Sequence, residues 1–346
     1  MKTPSSPSQP AIAVAPIHGA AIVRSVKGVW LLFAALAVAL AVAPLLMYPI
    51  FLMKLLCFAL FALAFNLLLS YGGMLSFGHA AYFGLASYVA AHAAKHWGLT
   101  PELAILAGTG AAGTLGIVFG AIAIRMQGTS FTMITLALGQ MVYFTCAQWR
   151  SFTGGDDGIQ DVPRGRLLGI LSLNNDITLY VFVSVVFLSM FALVVRITHS
   201  PFGQVMAAIR DNEARAVSLG YRVSRYKLAL FTISTVLAGV AGSVKVIVFQ
   251  VASLTDVHWS TSGEVVLMTL VGGMGSIIGP IVGAAFMVAV ENYLAVLGGW
   301  MTVLQGAIFA ACVLAFREGI VGFLVGLPAL RRVRRLIGSA DNSRPS

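Results

Sequence analysis

Eight long, predominantly apolar stretches of this chain contain no Asp, Glu, Lys or Arg: 28–53, 55–94, 103–124, 126–149, 177–195, 228–244, 265–290 and 292–316. A helix needs about 20 apolar residues to cross a hydrocarbon core of about 30 Å. Runs of this length leave one broad solution, a bundle of membrane-spanning helices. Transmembrane β-strands are about half as long and alternate apolar with polar residues, a pattern these runs lack. Composition agrees: hydrophobic residues make up 59% of the 346 and charged residues 10%, too few to cover a soluble surface of that size. The three cysteines, Cys57, Cys146 and Cys312, each sit inside an apolar run and suggest neither a disulfide framework nor a metal site.

Two of the runs carry punctuation. The 55–94 run holds two spans separated at Ser70-Tyr71-Gly72-Gly73, and 265–290 is interrupted by Gly272, Gly273, Gly275, Gly279 and Pro280. The expected fold is therefore an all-α polytopic membrane protein of about ten transmembrane helices, two of them broken at Gly-rich positions. Residues 28–329 form the membrane domain. Residues 1–27, rich in Pro, Ser and Ala, read as a disordered lead, and 330–346 as a basic tail. Ala41-Val42-Ala43 has the form of a signal-peptidase site, but the long charged lead and the later spans favour an uncleaved anchor.

Ten spans with the N-terminus inside put both termini, the 197–227 loop and 16 of the 22 basic residues on one side, with four acids. Elsewhere six bases face eight acids. That asymmetry marks the first side as cytoplasmic. Arg331, Arg332, Arg334 and Arg335 then lie against anionic lipid head groups, a reading preferred to nucleic-acid binding.

The pentapeptides Gly72-Gly73-Met74-Leu75-Ser76 and Gly272-Gly273-Met274-Gly275-Ser276 lie 200 residues apart and agree at four of five positions. Helix interruptions at corresponding places in two halves point to a transport path, while close packing through small residues explains such glycines equally well. Gly72, Gly73, Ser76, His79, Gly272, Gly273, Ser276 and Pro280 are the candidate path residues. Lys54, His79, His92, Lys245, Glu264 and Glu291 are ionisable groups in or near spans, where such groups face a cavity or a partner. A proton-coupled carrier would draw its relay from them.

In 197–227, Ser200 is positioned to cap a helix that starts at Pro201 and stops at Gly220. Phe202, Val205, Met206, Ile209, Val217 and Leu219 supply its apolar face; Arg210, Asp211, Glu213 and Arg215 lie opposite. The stretch SPFGQVMAAIRDNEARAVSLGYRVSRYK resembles the coupling loop of branched-chain amino-acid ABC importer permeases of the LivM type. NLLLSYGGMLSFGHAAYFGLASYVAA, GEVVLMTLVGGMGSIIGPIVGAAF and TGGDDGI are similar to the same family. One departure is the spacing from Glu213 to Gly220, one residue longer than in the wider importer consensus.

The resemblance implies that Arg210, Asp211, Glu213, Ala214 and Gly220 couple the chain to an ATPase. It implies as partners a second, LivH-like permease, two ABC ATP-binding subunits that carry ATP and Mg, and a periplasmic substrate-binding protein. The 150–176 loop, with Asp156, Asp157 and Arg164, is the candidate docking surface for that binding protein. It lacks the alternating ligands of an EF-hand. The location implied is a bacterial inner membrane.

None of the six lysines follows a phosphate-cradling glycine loop. Neither a Gly-x-Ser-x-Gly nor a His-Glu-x-x-His motif occurs. A transport subunit without catalytic residues or a cofactor of its own is therefore expected. The resemblance implies branched-chain or similar hydrophobic amino acids as its cargo, with urea or short amides as the alternative. An ion-coupled secondary carrier and a lone channel remain competing classes.

Overall fold

The computed structural model describes residues 26–167, 169, 171–294, 300–315 and 319–326. Most of the expected lead (1–27) and all of the tail (330–346) lie outside the described residues. Helices α1 (Val26–Leu46) and α2 (Pro49–Asn66) divide the first apolar run at Pro49, because proline suits a first helical turn. The last turn of α2 widens into a π-helical segment, Leu67–Tyr71, and the chain leaves helical geometry at the first glycine pair. Helices α3 (His79–Lys95), α4 (Pro101–Ala123) and α5 (Thr129–Gln148) follow, then the short α6 (Arg150–Thr153). A two-residue hairpin, β1 (Arg166–Leu167) with β2 (Leu171–Ser172), precedes α7 (Asp176–His199). The chain continues through α8 (Pro201–Asp211), α9 (Glu213–Ser218), α10 (Val223–Phe249), α11 (Trp259–Gly272), α12 (Gly279–Leu294), α13 (Met301–Ala315) and α14 (Gly319–Gly326).

Ten full-length crossings do not form among the described residues. Among the described residues five helical segments are long and apolar enough to span a membrane: Pro49–Tyr71, Pro101–Ala123, Thr129–Gln148, Asp176–His199 and Val223–Phe249. The glycines divide 265–290 between α11 and α12, of 14 and 16 residues, and α3 reaches only 17. A count of apolar runs overlooks this, since helix length is set by where backbone hydrogen bonding stops. The result is an all-α, multi-span membrane protein.

Two helices form its axis. The spans of α2 and α10 are 78% buried within the bundle, whereas α4, α5 and α7 are buried over a third or less. The outer helices expose Leu106, Val118, Met133, Phe144, Val181 and Val185, apolar side chains that suit lipid. Between axis and shell the contact is tight. A Cβ at Gly108, Gly116 or Gly120 of α4 would strike Ser243, Thr235 or Phe231 of α10, and Ala112 faces Gly239. This four-residue repeat of small side chains brings the two backbones together, which dispersion and close packing favour in lipid.

A leucine at position 116 has to displace Thr235, whereas Gly110 has open space around its Cβ. Overpacking of this kind costs about 1–3 kcal/mol. Gly116→Leu is expected to lower the unfolding midpoint in detergent by about 5 °C. Gly110→Leu is expected to leave it unchanged, both read by intrinsic fluorescence.

Candidate functional site

The loop between α7 and α10 folds into an elbow. Pro201 occupies the first turn of α8 and the Ser200 hydroxyl accepts from the Gly203 amide at 3.4 Å, as expected from the sequence. The expected single helix is instead two. Asn212 leaves helical geometry, with φ −157° and ψ 97°, and its side chain accepts from the Arg215 amide at 2.9 Å, starting α9. Asparagine favours such a cap over a helix interior because its amide competes with the backbone. Gly220, at φ +86°, reverses the chain toward α10.

The bend changes which residues face the bundle. Met206, Ile209 and Ala216 are buried, and Phe202 stacks on Tyr226 with ring centroids 5.8 Å apart. Val217 and Leu219, expected on the inward apolar face, are exposed instead. Leu219, along with Pro201, Ala208, Arg215 and Tyr221, lines a groove of about 390 Å³ on the elbow.

Arg210 points inward, not outward. Its Nη1 donates to the Ser70 carbonyl, and its Nε and Nη2 donate to Asp211 Oδ1 at 3.1 and 2.8 Å. The stem of Arg210 lies against Gly73, where a Cβ would come within 2.9 Å of it. Glu213 Oε2 accepts from Lys227 Nζ at 2.7 Å and from Gln127 Nε2 at 3.2 Å, which ties α9 to α10 and to the α4–α5 turn. Asp211, Ala214 and Gly220 are exposed.

The two glycine breaks meet beside this elbow. Gly73 and Gly273 both have positive φ, +63° and +110°, a region L side chains rarely enter. A Cβ on Gly72 would hit Leu230 and Met74, and one on Gly272 would overlap the Gly279 carbonyl. The serines that end the two motifs act alike: Ser76 Oγ accepts from the Gly78 amide at 3.4 Å, and Ser276 Oγ from the Gly279 amide at 2.7 Å. Each thus closes the start of the next helix, and Pro280 is buried in the first turn of α12. In both halves one helix runs into the break and the next leaves it for the far end.

His79 is fully buried between Phe65, Tyr82 and Phe231, all in edge contacts. Its Nε2 lies 2.8 Å from Ser234 Oγ, which donates its one proton to the Ala64 carbonyl at 2.6 Å. His79 must therefore donate through Nε2. The arrangement is that of a packed, hydrogen-bonded histidine. Four other ionisable groups near span ends form two ion pairs, Lys54 with Glu291 at 2.9 Å and Lys245 with Asp256 at 2.6 Å.

Residues 150–176 lie at the opposite end of the bundle. Asp156 and Asp157 are exposed. Arg164 braces the loop, donating to Asp176 Oδ1 at 2.9 Å and to the Val248 carbonyl at 3.2 Å. Lys95 Nζ reaches the Gln160 carbonyl at 2.6 Å.

Three residues that matter at the elbow and breaks, Asn66, Gln127 and Lys227, escape sequence reasoning, and Ser70 is read there only as part of the first break. Only Asn66 carries a signal, as an amide in the midst of a long apolar run.

Residues 47–317 match the family described as "Branched-chain amino acid transport system / permease component". The high-affinity branched-chain amino acid transport system permease protein LivM of Escherichia coli (strain K12) is 27% identical over 245 residues, 64% of this chain and 56% of that protein. The protein of the same name in Salmonella typhimurium (strain LT2) is 27% identical over 195 residues, 50% of this chain and 46% of that one. The chain thus matches about half the length of each of these curated relatives. No solved structure matches it.

The Glu213–Lys227 pair generates a test of the elbow. Lys227→Met is expected to speed tryptic cleavage after Arg215 about threefold, since one partly buried ion pair restrains α9. The exchange Glu213→Lys with Lys227→Glu is expected to restore most of the protection.

Proposed function

Because this chain belongs to the family of branched-chain amino acid transport system permease components, we propose that it is one membrane subunit of an ATP-driven importer for branched-chain or similar hydrophobic amino acids. The family match over 47–317 carries this reading. The elbow supports it. A soluble ATPase can move a membrane subunit only by gripping something outside the lipid, and α8 and α9 are short helices at one end of the bundle with an outer groove. Arg215, Leu219 and Tyr221 present mixed apolar and basic chemistry there.

In this proposal ATP and Mg sit on two separate ATP-binding subunits, which dock on the elbow from the cytoplasm. Arg210 and Glu213 act from behind, holding α8 and α9 against the bundle, while Asp211, Ala214 and Gly220 lie on the outer side. A second, LivH-like permease completes the path. Asp156 and Asp157, on the opposite end, meet a periplasmic substrate-binding protein, with Arg164 keeping their loop in shape. The excess of basic residues on the elbow side favours a cytoplasmic elbow and cytoplasmic termini, in a bacterial inner membrane. Closure of the ATPase dimer would rock the broken helices as rigid pieces and give alternating access.

The packing of His79 and the pairing of Lys54, Lys245 and Glu291 favour a passive subunit over an ion-coupled carrier. Urea or short amides remain the alternative cargo, since in such a system the separate binding protein selects what arrives.

Reconstitution tests the proposal. In vesicles under an imposed proton or sodium gradient, the chain alone should accumulate no leucine. With the second permease, the ATP-binding subunits and the binding protein, leucine uptake should require ATP. Accumulation by the chain alone overturns the reading. Gly220 has positive φ and open space around it, so Gly220→Val strains only the turn that ends the elbow, by about 1–2 kcal/mol. That variant should insert and assemble normally yet lose at least about tenfold in ATP-driven uptake.

A further inference from the structure

Asn66 and Ser70 lie inside the longest apolar run of the chain, both almost completely buried. Every polar atom of the two side chains has a partner. Ser70 Oγ donates to Asn66 Oδ1 at 2.6 Å and accepts from the Gly275 amide at 3.1 Å. Asn66 Nδ2 donates to the Ser276 carbonyl at 3.1 Å. The Ser70 carbonyl receives Arg210 from α8. Two neighbouring residues thus hold two other segments that lie 140 to 210 positions further along the sequence.

A buried polar network of this kind is stabilising only when complete. An apolar pair would fill the same space without that requirement, so the network's distinctive contribution is a defined alignment of the parts it joins. The parts are the elbow and both glycine breaks. The π-helical turn at Leu67–Tyr71 makes the geometry possible, because it frees the Ser70 carbonyl to face Arg210 while the Ser70 hydroxyl stays turned toward Asn66. Insertions of this type concentrate at functional sites.

We propose that Asn66 and Ser70 are positioning residues that lock the two glycine breaks to each other and to Arg210, so that α8 and both breaks move as one body when the elbow is displaced. Ser70 is the branch point. Its carbonyl holds the elbow and its hydroxyl holds the second break, so loss of the hydroxyl cuts one link and keeps the other. The consequence for transport rests on the importer reading; the mechanical link does not.

Hydrogen–deuterium exchange on the purified full chain tests the link directly. Ser70→Ala should raise exchange in 273–278 about tenfold and leave α4 unchanged. Ser70→Thr, which keeps the hydroxyl, should stay close to the parent. Arg210→Met should also raise exchange in 273–278, although Arg210 does not touch that segment, and should add nothing once S70A is present. Unchanged exchange in S70A, or an R210M effect of the same size with and without S70A, overturns the proposal. In the assembled importer, S70A should keep ATP hydrolysis but lower uptake per ATP about fivefold; an unchanged ratio also overturns it. A parent assembly with no ATP-driven uptake overturns the importer reading instead, and the exchange data then decide the mechanical link alone.

Discussion

Hydrocarbon offers no hydrogen bonds, so every peptide group within it must find its partner in the protein. That single requirement shapes this molecule. Most of its backbone meets it inside helices, and the places where helices stop are those where other groups must step in. Between Ser70 and His79, and again between Gly272 and Gly279, the substitutes are side chains: Ser76, Ser276, Ser70, Asn66 and Arg210. The two breaks sit together because each supplies groups that the other lacks.

The same requirement explains why α2 and α10 are buried while apolar outer helices surround them. In lipid there is little gain from hiding one apolar face rather than another, so close fit decides the order of helices. The small residues of α4 at 108, 112, 116 and 120 permit that fit against α10. Phe61, Phe83 and Phe231 then fill the space between α2, α3 and α10.

Much of this was legible beforehand. The membrane class, the break at Ser70-Tyr71-Gly72-Gly73, the broken 265–290 run, and the Ser200–Pro201 start and Gly220 stop of the elbow all follow from apolar length and turn chemistry. Three readings needed correction for local reasons. Asn212 divides the elbow because its side chain caps Arg215 more favourably than it continues a helix. Arg210 turns inward because the Ser70 carbonyl has no helical partner there. The long-span count falls to five among the described residues because glycines and prolines end helices inside runs that hydropathy alone reads as continuous.

Sequence by itself determined the solvent this chain lives in, since charge-free length is a one-dimensional property that tertiary contacts cannot alter. It also determined where the backbone would leave the helix, because glycine enters the positive φ found at positions 73 and 273 at far lower cost than other residues. Tertiary structure alone decided what those exits touch. The meeting of Ser70 with Gly275 and Arg210, and of Asn66 with Ser276, joins residues at least 140 positions apart. Such pairings depend on how helices pack in three dimensions, which no local periodicity encodes.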